Sequence, residues 1–195
     1  MLWTDSAIVL SARPFGEGRA IASLFAAEHG SHRGVVPGGN SRTRRHLLQP
    51  GTLVLATWRA RVAEQLGVLT VELLRGLDTR VIHDRLRLAA LVAACSLLDA
   101  SLPEREPNPD LYRHTLALLD GLAAADGCLD AYAAWERRLV AALGFGLTPA
   151  APPATQLRQT LQALEEHVFA SGRAGVPAAR NRLATLVAAD GSGDR

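Results

Sequence analysis

The sequence contains no lysine; all 21 of its basic residues are arginine. Every cationic contact the chain can make is therefore a planar guanidinium fork, a group suited to bidentate contact with phosphate or carboxylate. Codon bias would produce the same composition. Cysteine is almost absent. Cys95 and Cys128 lie far apart and neither belongs to a CxxC pair, which excludes a disulfide framework and a four-thiolate zinc site within this chain. Both read as buried small hydrophobes. Aromatic residues make up only 5%, so aliphatic side chains must build most of the core. The longest apolar run, Leu88 to Leu98, is too short to span a bilayer. The opening Met1-Leu2-Trp3-Thr4-Asp5 has no basic n-region and carries an acid, unlike a secretory signal. These absences lead to the expectation of a soluble, cytoplasmic protein with no membrane partner.

The 195 residues, 48% of them apolar, are enough for one large domain or two small ones. A net charge of +2 conceals an asymmetry. Residues 1–76 hold nine Arg against five acids, a net of +4, whereas residues 77–195 hold twelve against fourteen, a net of −2. A basic first part joined to a mildly acidic second part points towards an anionic partner.

Residues 1–76 read as short strands separated by Gly-rich turns. Strands are expected at Ala7–Leu10, Arg19–Ala26, Arg33–Val36, Thr52–Arg61 and Val68–Leu74, with an irregular loop at Pro37–Ser41 and a hairpin at Glu64–Gly67. In the fourth strand Val54, Ala56 and Trp58 share one face and Leu53, Leu55 and Thr57 the other. Five short strands in so few residues suggest a small closed barrel. After Gly76 the hydrophobic period becomes helical. Helices are expected at Val81–Leu98, Asp110–Ala125, Leu129–Leu143, around Leu157–Val168, and after Pro177 with Leu183, Leu186 and Val187 inward. Residues 77–195 thus form a helical region, with a Pro-rich linker near 148–155 and a frayed tail at Asp190–Arg195. The fold class is α+β.

Between Glu28 and Glu64 there is no acid, yet this window holds Arg33, Arg42, Arg44, Arg45, Arg59 and Arg61 together with three histidines. Ser41-Arg42-Thr43-Arg44-Arg45 sets hydroxyls beside guanidinium groups in the Gly-rich loop, as phosphate contacts require. Arg59 and Arg61, two apart on one strand, share a face. The six are the candidate residues for binding a nucleic acid or another polyanion; an ordinary solvated loop and polar strand face is the simpler alternative. Aromatic platforms for base stacking are few: Phe15, Phe25 and Trp58 are the barrel candidates, and each suits a core position. Phosphate-led binding discriminates weakly between sequences.

No catalytic set emerges. GxSxG, Walker A, HExxH and GxGxxG are absent, and no carboxylate lies at ligand spacing beside His29 and His32. His83-Asp84 reads as a helix start with Asp in a capping role. Neither enzyme activity, metal nor cofactor is expected. Trp135-Glu136-Arg137-Arg138 offers a second kind of site, in which Trp135, Arg137 and Arg138 anchor an acidic partner peptide. The same stretch reads equally well as a buried Trp with two exposed arginines.

Several segments resemble, in order, a known family. Asp5–Leu10, Arg13-Pro14-Phe15-Gly16-Glu17, Glu28-His29-Gly30, Gly38-Gly39 before an Arg/Ser-rich stretch, and Leu48-Gln49-Pro50-Gly51 look like the opening of the RecO family of recombination-mediator proteins. Trp135-Glu136 with Leu139, then Leu143-Gly144-Phe145-Gly146-Leu147, is similar to its helical-domain stretch, and the flavour is alphaproteobacterial. The resemblance implies an N-terminal five-stranded OB-fold barrel followed by an all-α domain. It also implies binding to single- and double-stranded DNA, strand annealing and recombinase loading in the RecFOR pathway, and a nucleoid-associated place in the cytoplasm. The implied partners are RecR and the acidic tail of the single-stranded-DNA-binding protein. Many members carry a cysteine-rich zinc insertion after the LGFGL-like turn. Here Thr148-Pro149-Ala150-Ala151-Pro152-Pro153 stands in its place without cysteines, so no zinc is assigned. Val36-Pro37-Gly38-Gly39 lacks the family's frequent basic residue, which passes that role to Arg42, Arg44 and Arg45. The alternative function is a protein-interaction module with little DNA affinity of its own.

Overall fold

The computed structural model describes residues 1–62, 66–146, 151–170 and 175–190. They fall into two compact units: Met1–Leu77 with Leu102–Tyr112, and Asp78–Ser101 with Arg113–Arg195. The first unit is a closed barrel of β1 (Leu2–Pro14), β2 (Ala20–Ala26), β3 (Gly30–Val36), β4 (Leu53–Arg59) and β5 (Gly67–Arg75), in the spatial order β1-β2-β3-β5-β4. Only β3 and β5 pair in parallel; the other ladders are antiparallel. With the helices of the second unit, this is the α+β class, an OB-type barrel followed by a helical domain.

β1 is far longer than its apolar centre because it serves two neighbours. Leu2–Ile8 pairs with β4, Ala7–Pro14 pairs with β2, and the register shifts between Val9 and Ser11. Such an irregularity bends a strand around a barrel corner. Asp5 obscures the strand in the sequence. Its carboxylate is satisfied by the Glu28 N–H at 2.8 Å and by His29 Nδ1 at 3.0 Å, so an acid is tolerated there.

The barrel interior is built from small and aliphatic residues, with Trp58 as its one large ring. Ala7, Val9, Ala22, Leu24, Val54, Ala56 and Leu69 are fully buried. Val54, Ala56 and Trp58, expected to share one face of β4, form its inward face. Trp58 donates its indole N–H to the Arg33 carbonyl at 3.2 Å and fills the space beside Gly67. A Cβ at Gly67 would lie 2.2 Å from the Trp58 Nε1, which is why β5 begins on glycine. Trp3 stacks on Trp58 and on His29, with ring centroids 6.0 and 4.5 Å away, and His32 meets both tryptophans edge-on. Trp3 thereby packs against the barrel core. Burial there pushes the His32 imidazole below its ordinary pKa, as do the nearby charges of Arg105 and His29, while the Gly30 backbone and Glu104 oppose the shift.

The segment Leu102–Tyr112, expected as a loop and helix start within the helical region, belongs to the barrel unit. It lies along the outside of β2 and β3. The Arg105 N–H donates to the Ser31 carbonyl at 2.7 Å, and Ser31 and Glu104 form a parallel bridge. The Tyr112 ring meets Phe25 edge-on at 5.5 Å, and its hydroxyl bonds to Ser6 at 3.1 Å. Gly30, at φ +70°, permits the closest approach, since a Cβ would sit 2.1 Å from the Glu106 carbonyl oxygen.

The helical unit contains α1 (Thr79–His83), α2 (Arg85–Ser101), α3 (Pro109–Ala123, whose first turn lies in the barrel unit), α4 (Cys128–Ala142), α5 (Pro153–Ala163) and α6 (Ala178–Asp190). The single expected helix over Val81–Leu98 is divided at Asp84, which caps α2 by accepting the N–H groups of Leu86 and Arg87, both at 2.9 Å. Arg87 reaches the end of α3, donating to the carbonyls of Leu122 at 2.8 Å, Ala125 at 2.7 Å and Ala124. Gly144, at φ +94°, ends α4 in the left-handed conformation, and Phe145 stacks on His167 at 5.0 Å. Pro153 already starts α5, so the linker is shorter than expected, and a π-type turn over Leu164–Val168 continues it. Of that linker, residues 148–150 lie outside the described residues, as do 64–65 of the expected hairpin and 191–195 of the expected tail.

The hydrophobic pattern gave no sign of a polar network at the centre of this unit. Glu136 and Arg180 are both fully buried. Arg180 Nη2 donates to Glu136 Oε2 at 2.9 Å and to the Leu157 carbonyl at 2.7 Å, and Arg180 Nε binds Glu136 Oε1. Tyr132 donates to the same carboxylate at 3.0 Å, Thr160 donates to it as well, and burial raises the Tyr132 pKa well above its usual value. These bonds tie α6 to α4 and α5.

Two outcomes follow from these buried groups. Glu136→Ala strands a buried guanidinium and should cost about 3–5 kcal/mol in urea unfolding. Glu136→Leu combined with Arg180→Met should recover most of that loss; a double variant as unstable as the single one would show that the pair is not what stabilises α6. His32 is held neutral, so the unfolded chain binds more protons once the pH falls below about 6.5. Stability should decline from that point as the pH is lowered towards the depressed folded value, and His32→Gln should flatten the decline in a pH series of thermal melts.

Candidate nucleic-acid interface

The connection between β3 and β4 is anchored at both ends and free in the middle. Gly39 packs against Val36 and Leu48 so tightly that a Cβ would meet both at 3.0 Å or less. Leu48, 5% exposed, belongs to the barrel core. Between these anchors Arg42, Thr43, Arg44 and Arg45 stand exposed, and a 3-10 turn spans Arg45–Leu48. Arg44 folds back, donating to the Pro37 carbonyl at 3.4 Å and lying over Gly38. Ser41 and Thr43 join hydroxyls at 3.2 Å. The connection touches the β1–β2 turn, where the Asn40 N–H donates to the Gly18 carbonyl at 3.4 Å.

That turn contributes two arginines that the sequence reading passed over, Arg13 and Arg19. Both are exposed. They lie outside the acid-free window, which begins only after Glu28, so a charge scan bounded by acids could not collect them. Arg19 sits over the Phe15 ring, 5.4 Å from its centroid. Phe15 is 40% exposed, whereas Phe25 and Trp58 are buried, as their expected core roles require.

The strand arginines form a separate group. Arg33 projects from the outer face of β3 and its Nη1 lies 3.5 Å from Glu104 Oε1. The acid-free window is thus met in three dimensions by an acid from far along the chain. Arg59 stands outward on β4 between Leu2 and Val68, both exposed, and Arg61 is exposed beyond the strand end. Among the described residues, Arg42, Arg59 and Arg61 have no ion-pair partner.

A cavity of about 410 Å³ opens where the β1–β2 hairpin meets the β3–β4 connection. Arg13, Arg45, Asn40 and Gln49 supply its polar groups, and Ala12, Pro14, Leu48 and Pro50 supply apolar walls.

The other expected site is differently disposed. The Trp135 ring is 2% exposed and its N–H donates to the Thr115 hydroxyl at 3.0 Å, so it is core rather than a peptide anchor. Arg138 is exposed and Arg137 half-buried. A separate apolar cavity of about 240 Å³ lies between α2 and α6, walled by Leu88, Ala89, Val92, Ala179 and Leu186, with Arg85 and Arg182 also lining it. Among the described residues there is no cluster of three or more His, Cys, Asp or Glu placed to hold a metal. No described helix is long and apolar enough to cross a membrane.

The Arg33–Glu104 contact makes a prediction of unusual sign. Both side chains are about half exposed, so the pair adds little to stability. Glu104→Gln removes this ion pair from the Arg33 guanidinium. It should strengthen binding to a DNA strand and steepen the log–log salt dependence by up to about one unit, while Arg33→Ala should change binding little. Measured salt titrations in which Glu104→Gln binds no better than the parent chain would exclude this masking.

Comparison with known proteins adds a lineage to this geometry. The family described as Recombination protein O N terminal matches residues 1–77, and Recombination protein O C terminal matches residues 82–151. The DNA repair protein RecO of Rhodospirillum rubrum is 53% identical over 150 residues, covering 74% of this chain and 60% of that protein. RecO of Rhodospirillum centenum is 52% identical over 147 residues, covering 75% and 58%, and that of a Jannaschia species is 46% identical over 161 residues, covering 83% and 66%. The matched region therefore spans about three-fifths of the length of the first two of these relatives. With both family halves matched in order over residues 1–77 and 82–151, the chain belongs to the RecO family.

Proposed function

We propose that this chain is a DNA-repair and recombination mediator that binds single- and double-stranded DNA through its barrel and brings complementary strands together. It acts by binding rather than by catalysing a reaction. The observation that carries the reading is the exposed arginine loop Arg42–Arg45, anchored at both ends by Gly39 and Leu48 and adjoined by Arg13 and Arg19. Arg59 at the outer end of β4 and Arg61 beyond it extend the candidate set. Arg33 contributes least, because Glu104 already engages it.

The mechanism is electrostatic. Guanidinium groups replace condensed counterions on phosphates, which yields affinity with little regard to sequence. A surface that neutralises two strands together lowers their mutual repulsion and so speeds pairing. On this reading the protein works in the cytoplasm beside the nucleoid. Its partners on this reading are RecR and the acidic tail of the single-stranded-DNA-binding protein. One feature of the helical unit favours a peptide partner as well: the apolar cavity between α2 and α6, with Arg85 and Arg182 at its lining, suits a peptide bearing acids and a terminal apolar side chain. In that second reading the chain is an interaction module, and the barrel adds little affinity for DNA.

Salt titration separates the two. About five phosphate contacts give a log–log slope near −4.5 on duplex and near −3.5 on single strands. Arg42→Ala/Arg44→Ala/Arg45→Ala should flatten that slope by up to about three units and slow annealing of coated strands. A slope near zero for the parent chain would reject the DNA reading and leave the interaction module. An unchanged slope in the triple variant would move the DNA elsewhere on the molecule.

A further inference from the structure

We infer that the cavity between the β1–β2 hairpin and the β3–β4 connection takes one splayed nucleotide of single-stranded DNA, with Arg13 and Arg45 on its phosphate and Asn40 and Gln49 on the edge of its base. This rests on the DNA-binding reading and adds to it a base-contacting subsite.

Three features of the cavity support one occupant chemistry. Its size, about 410 Å³, lies within the range of small-molecule sites and far below what a folded partner would need. Its polar groups are of two kinds. Two guanidinium groups match an anion, and two side-chain amides each offer a donor and an acceptor, the combination that reads base edges. A phosphate-only site would have no use for the amides. Its remaining walls, Ala12, Pro14, Ala20, Leu48 and Pro50, are apolar and can cover the flat face of a base or sugar.

The frame is also set before any ligand arrives. Leu48 is buried in the barrel core, and the Thr52 N–H donates to the Gln49 carbonyl at 3.1 Å, which fixes the backbone that carries Gln49. Asn40 is held by its N–H to the Gly18 carbonyl at 3.4 Å. Arg13 lies on β1, paired with Ile21 of β2. Among the described residues, none of the four polar side chains is engaged in a hydrogen bond or ion pair, so their donors and acceptors are available. Fixed backbones with unspent side-chain groups are the arrangement that favours binding over local structure.

The consequence is a selection between strand states. A base paired within a duplex has its Watson–Crick edge occupied and cannot enter. The cavity therefore adds affinity for an unpaired strand, and that increment is surrendered when the base pairs. The arginine loop holds both states through phosphates; the cavity distinguishes them.

The experiment compares an oligodeoxythymidylate with a strand of equal length built from abasic units, which has the same phosphates and no bases. Fluorescence anisotropy with the full chain should show the base-bearing strand binding about fivefold more tightly. Asn40→Ala/Gln49→Ala should abolish that preference while leaving affinity for the abasic strand unchanged, and Arg13→Ala should weaken both. Gln49→Glu, a change at an exposed position, should also remove the preference, and it serves if the double variant melts early. Equal affinity of the parent chain for the two strands would overturn the inference and leave the DNA-binding reading standing. A preference that survives in the variants would overturn it too, because the base would then be held elsewhere. Failure of the parent chain to bind either strand would instead reject the reading beneath it.

Discussion

The disposition of the barrel's arginines depends on the packing of Leu102–Tyr112 against the outside of β2 and β3. This segment extends the β3 edge through the Arg105–Ser31 hydrogen bond, covers Phe25 with Tyr112, and presses the Glu106 carbonyl onto a glycine that has no Cβ to resist it. The backbone at Ser31 thereby finds a partner, and the aromatic contact removes apolar surface from water. The outer face of β2 and β3 is thus partly committed to the chain itself, and Arg33 is committed with it through Glu104. The arginines that stay open lie where that segment does not reach, at the β1–β2 turn, the β3–β4 connection and the outer end of β4.

Charge is treated in two opposite ways in the two units. On the barrel, guanidinium groups stand in water on a backbone fixed by Gly39 and Leu48, where holding them in place requires no compensation for desolvation. In the helical unit one guanidinium is wholly buried, and its removal from water is offset by the Leu157 carbonyl and by a carboxylate that also accepts from Tyr132 and Thr160. The net charge by region did not distinguish these cases. A count of +4 and −2 treats Arg33, paired with Glu104, and Arg180, sealed against Glu136, as equal to Arg42.

How much was legible in the sequence follows from the range of the interactions concerned. The β4 alternation, the switch to helical period after Gly76, the cap at Asp84 and the buried Trp58 are local patterns, and they were read correctly in kind. The full length of β1 was hidden because Asp5 breaks the apolar alternation, and only Glu28 and His29 explain why it is tolerated. The division of the long helix at Asp84 was missed because apolar periodicity continues through a cap. Glu136 and Arg180 lie 44 residues apart, and each on its own helix resembles an ordinary surface charge. Of the candidate site, the loop arginines stood out because they are contiguous. Arg13 was not collected because the turn that brings it to Arg45 joins segments far apart in sequence, and Trp135 could be placed only once Thr115 was known to bind it.

The scarcity of exposed aromatics constrains the proposed mechanism more than the abundance of arginine does. Stacking platforms give single-strand binders much of their affinity for bases. Here Trp58 and Phe25 are committed to packing, and Phe15, the remaining barrel phenylalanine, is 40% exposed beneath the Arg19 guanidinium. On the proposed reading, DNA binding through this barrel is led by phosphates. Phosphates are common to both strands and to every sequence, whereas a stacked base must be peeled from its platform before it can pair. A mediator that has to release its strands into a duplex benefits from contacts that duplex formation leaves intact. Guanidinium groups on a loop anchored at both ends meet that requirement, and a row of aromatic rings would not.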